Sequence, residues 1–329
     1  VSTFADPEVI RMAREDFVTV AADDWYQRRK QDDEGEFFRK VSDQGPRKNN
    51  DGSTRQGIYV FTAAGKLLGY RNHEDAGVMR DALKKALAAW KKLPAAERKP
   101  GAVVIGEPAK VDANYTRTLP KGGLIVNVYT RILDKDAKGD FCHGTCAFTG
   151  GDQSAHDHLW LTAKDIEALV PASAKTGDVV PLPPQFVNRL LRYHLVDNTR
   201  GEASFWRLQD IRKQSFKLSV GEVTDQAITL KLEGAALLAT GADLKKAQRG
   251  FDVSVLGTLR FHRQKKYFDR FDIVALGDHW GAGPFTPGAR PGRMPLGIAF
   301  ELARGDNGAD LVPPQGARDW REYLKADKQ

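Results

Sequence analysis

Two cysteines in 329 residues are too few to staple a fold, so a hydrophobic core has to stabilise this chain. No uninterrupted apolar run approaches the ~20 residues of a transmembrane helix, and no membrane span is expected. No Walker loop, Gly-x-Gly-x-x-Gly, Gly-x-Ser-x-Gly or His-Glu-x-x-His occurs, and no nucleotide cofactor is expected. No strong charge of one sign is present either: 50 Lys and Arg face 43 Asp and Glu, for a net +7. The excess is scattered, apart from a basic helix face at Arg80, Lys84, Lys85, Lys91 and Lys92. A specific nucleic-acid partner is therefore not expected. The composition, 41% hydrophobic and 28% charged, excludes a disordered, collagen-like or coiled-coil chain. A start at Val1 without Met reads as trimmed or processed.

The patterns that are present divide the chain. Asp6-Pro7-Glu8 predicts a capped helix, with Asp6 as the cap and Pro7 in the first turn. Phe17–Ala21 reads as a buried strand, and residues 24–43 as helical. Gly57–Phe61 and Leu67–Tyr70 predict a hairpin, and Asp75–Leu93 an amphipathic helix stopped by Pro94. Leu124–Arg131 predicts a strand, Thr162–Asp165 a capping box, and Pro184 the start of another helix. Alternation at Phe216–Val220, Ala227–Leu232, Phe251–His262, Phe268–Leu276 and Leu296–Leu302 predicts a meandering antiparallel sheet. The expected fold is α/β plus α+β, the second part dominated by that sheet as a half-barrel or sandwich. The expected organisation is an α/β domain at 1–94, a linker or docking arm at 95–122, an α+β domain at 123–314 and a C-terminal arm at 315–329.

The run Ser2-Thr3-Phe4-Ala5-Asp6-Pro7-Glu8-Val9-Ile10, then Phe17-Val18-Thr19-Val20, resembles the thioredoxin-like superfamily, and within it exported bacterial domains. Gly57–Phe61 and Gly65–Leu68 extend the resemblance, which covers about 100 residues. It implies a thioredoxin-like fold for residues 1–94, a periplasmic or extracellular location, and a protein partner met through that domain. The family's chemistry uses Cys-x-x-Cys at a helix start and a cis-proline before the third strand. Residues 1–100 contain no Cys, and Ser53-Thr54-Arg55-Gln56-Gly57 contains no Pro. The resemblance thus implies the fold without its dithiol reaction. The remainder is similar only to uncharacterised exported bacterial proteins.

Both cysteines lie in the second part, with three of the seven histidines beside them. Cys142-His143-Gly144-Thr145-Cys146 leads, ten residues on, to His156-Asp157-His158. Thiolates and imidazoles together suit copper or zinc. On an extended strand His156, His158 and Trp160 share one face, with Asp152 or Asp157 available to orient an imidazole. Cys142, Cys146, His143, His156 and His158 are therefore candidate metal ligands. The same Cys-x₃-Cys spacing also suits a disulfide closing a short loop, or two independent thiols. Two further sets are candidates for a cleft. One is His194, Asp197 and Arg200 at a helix end; the other is Asp278, His279 and Trp280, read as a Gly-rich ligand loop after a strand. The sequence leaves two main functions open, beside a hydrolase or oxidase using the His279 loop. One is an exported copper- or zinc-binding protein, redox-active or not. The other is a non-catalytic binding or scaffold protein with a Cys142–Cys146 disulfide.

Overall fold

The computed structural model describes residues 2–48, 53–99, 107, 109–136, 138–142, 154–171, 173–305 and 308–324. They form two compact units, Val1–Arg117 and Thr118–Gln329.

In the first unit, α1 (Pro7–Glu15) opens as its sequence dictates. The Asp6 carboxylate accepts the Glu8 and Val9 N–H groups, and Pro7 occupies the first turn. Asp23, Asp32 and Asp75 cap α2 (Asp24–Gln27), α3 (Asp33–Ser42) and α4 (Ala76–Lys91) in the same way. The hairpin β1 (Ile58–Phe61) and β2 (Leu67–Arg71) lies between α3 and α4 in the chain, and a short α5 (Ala95–Arg98) follows. Val9, Met12, Met79 and Leu83 make the core, with Phe17, Ile58 and Val60 against it. Phe17–Ala21 is not the buried strand expected from its residues. It has no sheet partner among the described residues, and Val18 and Val20 are 96% and 79% exposed. Within 95–122, expected as a linker or docking arm, the Asp112 N–H donates to Asp32 and the Ala109 N–H donates to Asp33, and the first unit extends to Arg117.

The second unit is α+β, built on one open antiparallel sheet of eight strands rather than a two-sheet sandwich. The strands are β3 (Leu124–Ile132), β4 (Ala155–Leu161), β5 (Val179–Val180), β6 (Ile211–Val223), β7 (Ala227–Ala239), β8 (Arg249–His262), β9 (Tyr267–Gly281) and β10 (Met294–Leu302). Their spatial order is β4-β3-β10-β9-β8-β7-β6-β5. Strands β6 to β10 meander as the alternation predicts, and β3 and β4 continue the sheet beyond β10. Period-two patterning decides the faces. Leu230 and Leu232, Val253 and Val255, Ile273 and Ala275, Ile298 and Phe300 are buried on one face. Lys231, Glu233, Asp252, Arg260 and Arg270 are exposed between them.

That buried face packs on α6 (Ala163–Leu169), α7 (Pro184–Arg189) and a π-helical turn, Leu190–His194. The expected capping box forms at Thr162 and Asp165. Residues 315–324, expected as a peripheral arm, are built into this unit: α8 (Trp320–Leu324) carries Tyr323, which is 0% exposed.

Candidate functional site

Strand β4 gathers most of the unit's unusual side chains, and alternation sends them to opposite faces. His156, His158 and Trp160 lie on one face, opposite Tyr129, Asn127 and Ile125 of β3. The His156 and His158 ring centroids are 4.6 Å apart, and His156 stacks on Tyr129 at 4.8 Å. His156 Nε2 donates to the Asn127 Oδ1 at 3.1 Å. His158 is buried and its Nε2 has no hydrogen-bond partner. Partial desolvation lowers the His156 imidazole below its ordinary value, although the residue is exposed overall. Burial, helped by His156, pushes His158 down to about 4. Both rings are neutral at pH 7.

The other face of β4 points Asp157 into the core, beside the π-helical turn. Its Oδ1 accepts the Gln315 N–H at 2.9 Å, and its Oδ2 lies 3.6 Å from His194 Nδ1. His194 Nε2 and the Tyr323 hydroxyl are 2.9 Å apart, and that hydroxyl accepts the Trp160 N–H. Burial pushes Asp157 up to about 6; burial and then Arg189 push His194 down to about 3. The neutral imidazole accepts the phenolic proton at Nε2 and keeps its own proton on Nδ1, toward Asp157. An acid, an imidazole and a phenol in line suggest a relay. Burial assigns them to structure, because the Asp157 and His194 side chains are 10% and 0% exposed.

Tyr323→Phe removes the group that satisfies both the Trp160 N–H and His194 Nε2. Leaving a buried polar group unpaired costs about 1–3 kcal/mol. The second unit is expected to lose about 2–4 kcal/mol, read by differential scanning calorimetry. An unchanged Tm would show that the hydroxyl is dispensable.

The third set is at the end of β9. Asp278, His279 and Trp280 are not a ligand loop, because β9 runs through them to Gly281. Alternation separates them. Asp278 is exposed opposite Asp252, whereas His279 is buried opposite Phe251. Trp280 donates from Nε1 to the Ala247 carbonyl at 3.1 Å, with the Arg293 guanidinium 4.2 Å from its ring centroid. His279 instead joins the helix-end set through its electrostatic coupling to Asp197 and Arg200. Burial pushes His279 down to about 4 against the pull of Asp197. Burial raises Asp197, but Thr199, His279 and Arg200 outweigh it and hold the carboxyl below its ordinary value. Arg200 binds Asp197 at 2.8 Å and the carbonyls of Gly281, Thr286 and Pro287. These groups lock a chain crossing together. His194, which the sequence places with Asp197 and Arg200, belongs to the Asp157 set.

Cys142 follows the bridge between Lys135 and Phe141, donates its N–H to the Asp134 carbonyl, and is disulfide-bonded. His143, Cys146 and Asp152 lie outside the described residues. Among the described residues, no group of three His, Cys, Asp or Glu is arranged to hold a metal ion. None of their helices is long and apolar enough to cross a membrane. Sequence reasoning missed Asn127, Arg189, Asp310 and Tyr323. Only the period-two register of β3, which pairs Asn127 with His158, offers a signal for any of them. No family model, curated protein or solved structure matches the chain.

Proposed function

We propose that the chain is an exported, non-catalytic binding or scaffold protein. Its first unit is a thioredoxin-like domain without the dithiol, used to dock a protein partner. Its second unit is an open-sheet body carrying a structural Cys142–Cys146 disulfide. The observation that carries this reading is the disulfide-bonded Cys142, because the chain has one other cysteine. A disulfide fits a periplasmic or extracellular location. The polar clusters support it too, since Asp157, Asp197, Arg189 and Arg200 are engaged by backbone and neighbouring side chains.

A second reading is favoured by the 4.6 Å approach of His156 and His158. In it, reduction frees Cys142 and Cys146 to join His143, His156 and His158 around copper or zinc. Thiol titration of denatured protein separates the two. No thiol before reduction and two afterwards supports the disulfide protein. Two thiols titrating without reductant in metal-free protein would overturn it. Two thiols masked until a chelator is added would establish the metal protein instead.

A further inference from the structure

We propose that His156 and His158 bind a divalent copper or zinc ion on the β3/β4 face while the disulfide is intact. The inference rests on the imidazole half of the second reading and dispenses with its thiolates. Four observations carry it. The two rings are two residues apart on one strand face, with centroids separated by 4.6 Å. Each ring also has one nitrogen left for a ligand. His156 Nε2–H is taken by Asn127, which leaves the Nδ1 lone pair. His158 Nε2 is buried with no hydrogen-bond partner, which leaves that nitrogen open as well. Metal-bound imidazoles are held as His156 is, the second nitrogen donating to a carbonyl oxygen.

The third observation is that His156 is restrained before any ion arrives. It stacks on Tyr129 at an interplanar angle of 11° and is tied to Asn127. Preset ligands lose less freedom on binding. The fourth is electrostatic: the Asp310 carboxylate is buried near both rings and favours positive charge on each. Two neutral imidazoles select a borderline ion such as Cu(II) or Zn(II) over Mg(II) or Ca(II). Water completes the coordination, since no third protein ligand stands with them among the described residues.

The experiment titrates Cu(II) or Zn(II) into the full, unreduced chain by calorimetry, with Cu(II) followed also by electron paramagnetic resonance. One ion is expected per chain, with the nitrogen hyperfine pattern of two imidazoles. His156 is exposed, so His156→Ala keeps the fold, checked by circular dichroism. It is expected to weaken binding at least tenfold, and Asn127→Ala about tenfold through loss of ring orientation. His73→Ala, on an exposed surface, and Cys142→Ser paired with Cys146→Ser are expected to leave binding unchanged. No binding by the unreduced chain, or equal binding by His156→Ala, would overturn the proposal. Binding that appears only after reduction and is lost with the cysteines would also overturn it, while supporting the five-residue site.

Discussion

Arg189→Ala is expected to destabilise the second unit by about 3–5 kcal/mol, the usual cost of leaving one half of a buried ion pair alone. The Arg189 side chain is 1% exposed, and its guanidinium has three separate partners. It binds Asp165 at 2.7 Å, the Trp160 carbonyl at 3.0 Å and the Tyr323 carbonyl at 2.8 Å. One side chain thus ties the start of α6, the end of β4 and α8 together. Its removal leaves a buried carboxylate without its counter-charge and two carbonyls without this donor. For a unit of roughly 200 residues the expected loss lowers Tm by about 10 °C. Lysine does not substitute, because an ammonium lacks the planar fork that reaches all three acceptors. A double-mutant cycle with Asp165→Ala tests the coupling. If the two losses simply add, the pair contributes nothing specific to stability.

Acid is expected to have the other large effect. His158, His194 and His279 are buried neutral, near 4, 3 and 4, against an ordinary value of 6.5. A lowered imidazole value gives stability that is full above pH 6.5 and lost as pH falls toward the folded value, because the unfolded chain binds the proton first. At pH 4.5 each ring costs about 2–3 kcal/mol at 1.36 kcal/mol per unit. Asp157 runs the other way. Its value is raised from 3.8 to about 6, so its contribution is present at low pH and lost as pH rises through 6. It returns about 2 kcal/mol on the same descent. The net loss from pH 7 to 4.5 is on the order of 5 kcal/mol, comparable with the whole stability of many domains. Calorimetry at stepped pH should show the second unit's Tm falling steeply below pH 6, and His194→Gln should flatten that fall. A Tm constant from pH 7 to 5 would refute the assignment of these rings as buried and neutral.

The sheet was legible in the sequence because its strands are long, alternate cleanly and are joined by short turns. Ala227–Leu232 and Phe251–His262 place their apolar residues on one face without any knowledge of what covers it. Phe17–Ala21 has strand residues too, but strand structure needs a partner, and sequence does not supply one. At Asp278–Trp280 the flanking glycines read as loop punctuation. Gly277 is instead a packing requirement: a Cβ there would stand 2.0 Å from the Asp252 carbonyl oxygen of the paired strand. The shared face of His156 and His158 followed from period two alone. Their surroundings did not, because Asn127 lies 29 residues before His156 and Asp310 arrives from a distant segment. Tyr323 was illegible for the same reason. Trp320, Tyr323 and Leu324 span a single helical turn, too short a pattern to show which of them is buried.

An open sheet has two outer strands, and each is a template onto which another chain can add. Here each is partly protected from that addition. At one end β5 is two residues long, too short to offer a ladder. At the other, the outward backbone of β4 is occupied at Trp160, whose N–H is taken by the Tyr323 hydroxyl and whose carbonyl is taken by Arg189. The contacts that hold residues 315–324 in place therefore also occupy part of that edge. Loosening that segment, by acid or by loss of Arg189, would convert a folded body into one with a sticky margin.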